Sequence, residues 1–111
     1  MGEWLNNKQS NTMYTLHNKT ALVTGSARGL GKAIAERYAA LGANIVINYS
    51  IVKGTTDEVV SNIQAMGAKV IAVQADVSEV AEIERLFGIA LDTFGKLDIV
   101  VAKAGIERVE T

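Results

Sequence analysis

"TALVTGSARGLG", residues Thr20 to Gly31, decides how the rest of the chain is read. Its first half is short, apolar and β-branched, which reads as a buried strand. Its second half sets Gly25, Gly29 and Gly31 in a G-x-x-x-G-x-G pattern, between that strand and the next periodic segment. Glycine permits a tight turn, the approach of a pyrophosphate to the backbone, and close packing of the following helix on the strand. Free N–H groups at the helix N-terminus would then face the anion. The plainer alternative is a tight turn with no ligand. The strand, loop and helix in sequence favour the phosphate cradle.

Downstream of the loop, Leu30, Ile34, Tyr38 and Leu41 recur at helical spacing, and Gly42 fits a helix stop. "NIVIN" (Asn44–Asn48) reads as a second buried strand. Val59, Val60, Ile63 and Met66 mark a second amphipathic helix, stopped by Gly67. "KVIAVQA" (Lys69–Ala75) is a third strand. Ser78 is placed to cap a third helix, with Glu79 and Glu82 in its positive first turn. Ile83, Leu86, Phe87, Ala90, Leu91 and Phe94 form that helix's apolar stripe, ahead of Gly95. "LDIVVA" (Leu97–Ala102) is a fourth strand. The order is β-α-β-α-β-α-β. Continuous apolar strands joined by helices imply an α/β fold, with a parallel sheet covered on both faces. Right-handed crossovers make it doubly wound. Residues 1–15 are polar and aperiodic and read as a disordered tail. Residues 16–111 read as one dinucleotide-binding domain, itself partial, with no internal repeat.

Composition narrows the function classes. Apolar residues make up 49% and charged residues 21% of the 111, which is a globular balance. Net charge is −1, so no basic face is implied for nucleic acid or an anionic membrane. The chain has no cysteine and one histidine, His17, which excludes disulfides, thiol chemistry and a cysteine-based metal site. No apolar run matches a signal peptide or a membrane-spanning helix, so a soluble, cytoplasmic protein is expected.

The glycine pattern with Thr24 resembles the T-G-x-x-x-G-x-G signature of the short-chain dehydrogenase/reductase family. "ADV" (Ala75–Val77) is similar to the family segment that contacts the adenine ring. "GKLDIVVAKAG" (Gly95–Gly105) is similar to its G-x-x-D-x-x-V-N-N-A-G segment. The resemblance covers about residues 16–106. It implies a Rossmann-like sheet of strand order 3-2-1-4, with NAD(P) lying across the carboxyl ends of the strands. It also implies an oxidoreductase that moves hydride to or from a small carbonyl or hydroxyl compound, usually as a homo-oligomer. "INYS" and "VIAVQADVS" look closest to the family's ketoacyl and polyketide-type reductases. The residues implied at the cofactor are Gly25, Ser26, Arg28, Gly29, Leu30, Gly31, Asn48, Tyr49, Ser50, Asp76, Val77, Lys103, Ala104 and Gly105.

Tyr49 and Lys53 have the tyrosine-x-x-x-lysine spacing of the family's catalytic pair. In the family that pair lies on a helix after the fifth strand, whereas here it follows the second. This location resembles the adenosine ribose pocket, out of reach of a hydride acceptor, so no catalytic role is assigned. Folds specific for NAD often carry an acid near this point to bind the ribose 2′-OH. The residues here are Asn48, Tyr49 and Ser50, with no carboxylate. Arg28 in the glycine loop resembles the NADPH-preferring pattern. A 2′-phosphate would be met by Arg28, Ser50 and Lys53, and NADP(H) is expected over NAD(H).

Lys103 stands where the family has an asparagine beside the cofactor ribose. Lysine donates hydrogen bonds and never accepts them, so that side-chain contact is lost, while backbone contacts from Lys103, Ala104 and Gly105 survive. The family's catalytic serine, tyrosine and lysine and its interface helices have no counterpart in the 111 residues. The chain is therefore expected to be the cofactor-binding portion of a truncated sequence and inactive alone. The alternatives are a non-catalytic nucleotide-binding or oligomerisation module, or an inactive remnant. An unpaired, apolar edge is expected along "DIVVA" (Asp98–Ala102).

Overall fold

The computed structural model describes residues 16–51, 54–102 and 109–110. Strand β1 (Thr20–Val23) leads through the glycine loop into helix α1 (Gly29–Ala40). Then come β2 (Asn44–Tyr49), α2 (Gly54–Ala65), β3 (Val70–Gln74), α3 (Val80–Phe94), β4 (Ile99–Val101) and a short β5 (Val109–Glu110). The sheet order is β3-β2-β1-β4-β5. The first four strands pair in parallel, giving the expected order 3-2-1-4.

Alternation along the central strands builds two cores, because successive strand side chains point to opposite faces. Ala21 and Val23 of β1 and Ile45 and Ile47 of β2 face α1 and α2, where Ala35, Ala39, Val59 and Ile63 meet them. Leu22 and Val46 face the other side, against Leu86 and Ala90 of α3. Asp98 ties the base of β4 to β1. Its carboxylate accepts from the Thr20 N–H at 2.8 Å, and its own N–H donates to the Thr20 carbonyl at 2.9 Å.

Three expectations are corrected. Leu30 is not a core residue of α1 but is 68% exposed. The stripe that α1 buries is Gly31, Ala35 and Ala39, with Ile34 and Tyr38 packed along its flank. Small side chains four residues apart let the helix lie close to the sheet, and that closeness leaves no room for a leucine. Ser78 does not cap α3. The N-cap is Glu79, without a side-chain cap bond. Asp76 captures Ser78 first, accepting from its N–H at 3.0 Å and its hydroxyl at 2.7 Å, which is the local turn that aspartate favours. Finally, β4 does not present a bare ladder. Val109 and Glu110 pair antiparallel with Val101 and Val100. The connection from Val101 to Val109 is too short for a crossover helix, so the only strand it permits beside β4 is an antiparallel one.

Candidate functional site

At the carboxyl ends of β1 and β2 a cleft of about 290 Å³ is lined by Gly25, Ala27, Arg28, Tyr49, Ser50, Ile51 and Thr55. None of these described lining residues is acidic. A second groove, of about 410 Å³, lies at the opposite end of the strands, beside His17, Asn18, Gly42, Asn44 and Lys69, away from the glycine loop.

The cleft's floor is set by how α1 begins. A Cβ on Gly31 would lie 2.4 Å from the Gly25 carbonyl oxygen, so only glycine lets the helix start this close to β1. Gly29 has φ +62°, in the left-handed region. Arg28, the N-cap residue, makes no side-chain cap bond, and the first turn of α1 holds no acid. By contrast, α2 and α3 carry Asp57 and Glu82 in their first turns. The Gly29, Leu30 and Gly31 amides precede any intrahelical acceptor. Among the described residues no bond from them is seen. Among the described residues, the positive end of α1 therefore meets no protein anion, and the exposed Arg28 lies beside it.

The amides of Gly25 and Ser26 are used internally. The Gly25 N–H donates to Asn48 Oδ1 at 3.0 Å, and the Ser26 N–H to the Asn48 carbonyl at 3.0 Å. Ser26 is fully buried, and its hydroxyl donates to the Val23 carbonyl at 2.7 Å. Ser26 and Asn48 thus lie beneath the loop rather than on the cleft wall. Tyr49 and Ser50 do line the cleft. Gln74, the last residue of β3, donates to the Ser50 carbonyl at 2.7 Å and fixes that segment from the side. Arg85 of α3 in turn donates to the Gln74 carbonyl and pairs with Glu82 at 2.9 Å.

Asp76 and Val77 follow β3. Val77 packs against the core beneath α3, and Asp76 is exposed. The Ser78 hydroxyl, and then its amide, hold the Asp76 carboxyl below the usual carboxylate range. A depressed carboxylate pKa adds stability above the unfolded value that is lost as pH falls through the folded one. Ser78→Ala is expected to raise the Asp76 pKa toward its ordinary value and to shrink this acid-sensitive part of stability. An NMR titration of the Asp76 carboxyl checks it; an unmoved midpoint contradicts it.

Lys53, Lys103, Ala104 and Gly105 lie outside the described residues. Three lining residues, Ala27, Ile51 and Thr55, were not singled out in the sequence. Ile51 belongs to no apolar stripe, and that isolation was its signal: it is 82% exposed in the cleft. Thr55 stands in the first turn of α2, a position polar side chains often take without a ligand, so nothing marked it.

The short chain dehydrogenase family model matches residues 19–111. A hydroxynaphthalene reductase-like protein of Metarhizium guizhouense is 46% identical over 96 residues, covering 86% of this chain and 36% of that protein. Versicolorin reductase 1 of Dothistroma septosporum is 45% identical over 93 residues, 84% of this chain and 35% of that one. The chain thus spans about a third of the length of the curated relatives it matches. Among solved structures, a short chain dehydrogenase of Burkholderia cenocepacia in complex with NADP superposes with a TM-score of 0.74 at 41% identity, covering 77% of this chain and 35% of that one. No helix among the described residues is long and apolar enough to cross a membrane.

Proposed function

Because the chain belongs to the short-chain dehydrogenase family, we propose that it is the cofactor-binding portion of an NADPH-dependent reductase of small carbonyl compounds. The observation that carries this reading is the uncompensated N-terminus of α1. Its Gly29, Leu30 and Gly31 amides, which donate to no described residue, and a cleft with no acid among its described lining fit a dinucleotide diphosphate and a further phosphate on the ribose. When bound, NADPH supplies the hydride. The chain's own residues bind and orient it. The α1 amides hold the diphosphate, Arg28 and Ser50 meet the 2′-phosphate, and Thr55 adds a hydroxyl from the α2 first turn. Lys53 is assigned to the same phosphate, and Asp76 and Val77 to the adenine side. Lys103, Ala104 and Gly105 are assigned to backbone contacts on the ribose. Ser26 and Asn48 act from below, by holding the loop. Tyr49 walls the adenosine end and takes no part in proton transfer. The names of the two reductase relatives favour reduction as the physiological direction.

Titration of the 111-residue chain with NADPH and NADH tests this reading. Tighter binding of NADPH is expected, and NADH binding equally or more tightly contradicts the preference. In an assay of NADPH oxidation with assorted ketones, this chain alone is expected to show no turnover, because hydride transfer needs a proton donor beside the carbonyl and binding the cofactor does not itself supply one. Clear turnover contradicts that part.

A further inference from the structure

Asn48 is 2% exposed, in a sheet position where an apolar side chain would be ordinary. Its amide is nonetheless fully engaged. Oδ1 accepts from the Gly25 N–H at 3.0 Å, and Nδ2 donates to the Ala75 carbonyl at 3.2 Å and the Val73 carbonyl at 3.4 Å. Its backbone N–H donates to Ser26 Oγ at 3.1 Å, and its carbonyl accepts from the Ser26 N–H. Two loop residues and the end of β3 are thus fastened to one side chain and its backbone. Gly25 is also the residue whose carbonyl Gly31 rests against. The line of contact runs from Asn48 to Gly25, from Gly25 to Gly31, and from Gly31 to the amides that open α1.

We propose that Asn48 is a positioning residue for dinucleotide binding, which sets the height of the α1 N-terminus through Gly25 and does not touch the cofactor. The proposal rests on the dinucleotide reading above. It also changes what position 48 does. The side chain at the end of β2 points inward and is spent on the loop, so discrimination at the ribose falls to Tyr49 and Ser50, which reach the cleft. An asparagine suits this task because it accepts from one direction and donates in the other. A carboxylate would turn a second oxygen against the Val73 and Ala75 carbonyls, and an aliphatic residue would leave the Gly25 amide unpaired.

The test uses the 111-residue chain, with Asn48→Ala, Ser26→Ala and the double variant, read by amide hydrogen exchange and by NADPH titration. In Asn48→Ala, exchange at the Gly25 amide is expected to speed up by about 100-fold relative to Val46 and Ile47 in the middle of β2. NADPH affinity is expected to fall by about tenfold. Ser26→Ala keeps the Asn48 side chain and is expected to lose less. The double variant is expected to be weaker than the worse single by less than the product of both, because the two residues act on one loop. Undiminished protection at Gly25, or NADPH binding at the wild-type level, overturns the proposal. So does an equal loss of protection throughout β2 in every variant, which would make Asn48 a general core residue. If the wild-type chain binds no NADPH, the dinucleotide reading fails, while exchange at Gly25 still decides whether Asn48 holds the loop.

Discussion

Gly31→Val is expected to abolish NADPH binding, with affinity falling by at least about 100-fold, and to destabilise the fold by about 1–3 kcal/mol. The cause is a clash that no rotamer relieves. The new Cβ would meet the Gly25 carbonyl oxygen at 2.4 Å, and the Gly25 carbonyl carbon and Ser26 Cα at 3.0 Å. All three atoms are backbone, and the Gly25 and Ser26 segment is held from below by Asn48. The loop cannot give way, so α1 must retreat. Retreat lifts Ala35 and Ala39 out of contact with β1 and β2, and would carry the Gly29, Leu30 and Gly31 amides away from the proposed diphosphate position. Gly29→Ala is the control. Among the described residues nothing lies within 4 Å of its Cβ position, so the φ of +62° is what opposes a side chain there. Its cost is conformational, about 1–2 kcal/mol, without displacement of the helix. Urea denaturation and NADPH titration of both variants separate steric from conformational loss. Binding by Gly31→Val within threefold of wild type would contradict this account of the cradle.

Arg28→Glu is expected to invert the cofactor preference. NADPH affinity should fall by at least about 100-fold, since a charge-assisted hydrogen bond contributes about 1.5–3 kcal/mol and an attraction is replaced by a repulsion. NADH affinity should stay within a few fold, since the proposed hold of the α1 amides on the diphosphate is untouched. Arg28 is suited to the role because it is exposed, lines the cleft and is not spent on capping its own helix. The wild-type preference should also weaken with added salt, as expected for an exposed charge. Parallel loss of both cofactors in Arg28→Glu would show that Arg28 supports the loop generally and does not read the ribose phosphate.

The topology was legible in the sequence because buried parallel strands are continuous apolar runs, and "TALV", "NIVIN" and "VIAVQ" are unambiguous in that respect. The packing of α1 was not. Hydrophobic periodicity points to Leu30, Ile34, Tyr38 and Leu41, but the face that meets the sheet is chosen by closeness, which Gly31, Ala35 and Ala39 provide. Leu30 is left outside as a result. Ser78 looked like a cap, and Asp76, two residues earlier, won its hydroxyl. The short β5 beside β4 was invisible because a two-residue strand has no periodicity to read. Around the cleft, spacing and charge mark the glycines and Arg28 in the sequence, and Gly25 and Arg28 line it. The family resemblance implies Asn48 at the cofactor, yet its side chain is turned inward onto the loop and the end of β3. Its inward orientation follows from the alternation along β2, which sends Asn48 and Val46 to one side and Ile47 to the other.

The central claim is that the amides opening α1 receive the diphosphate of NADPH. A backbone amide NMR titration of the wild-type chain tests it most directly. The expected result is saturation near one equivalent, with the largest shift changes at Gly29, Leu30 and Gly31 and smaller ones at Ser50 and Thr55. Saturable shifts centred instead on the far groove at His17, Asn18 and Gly42, or no saturation by a cooperatively folded chain, would contradict it.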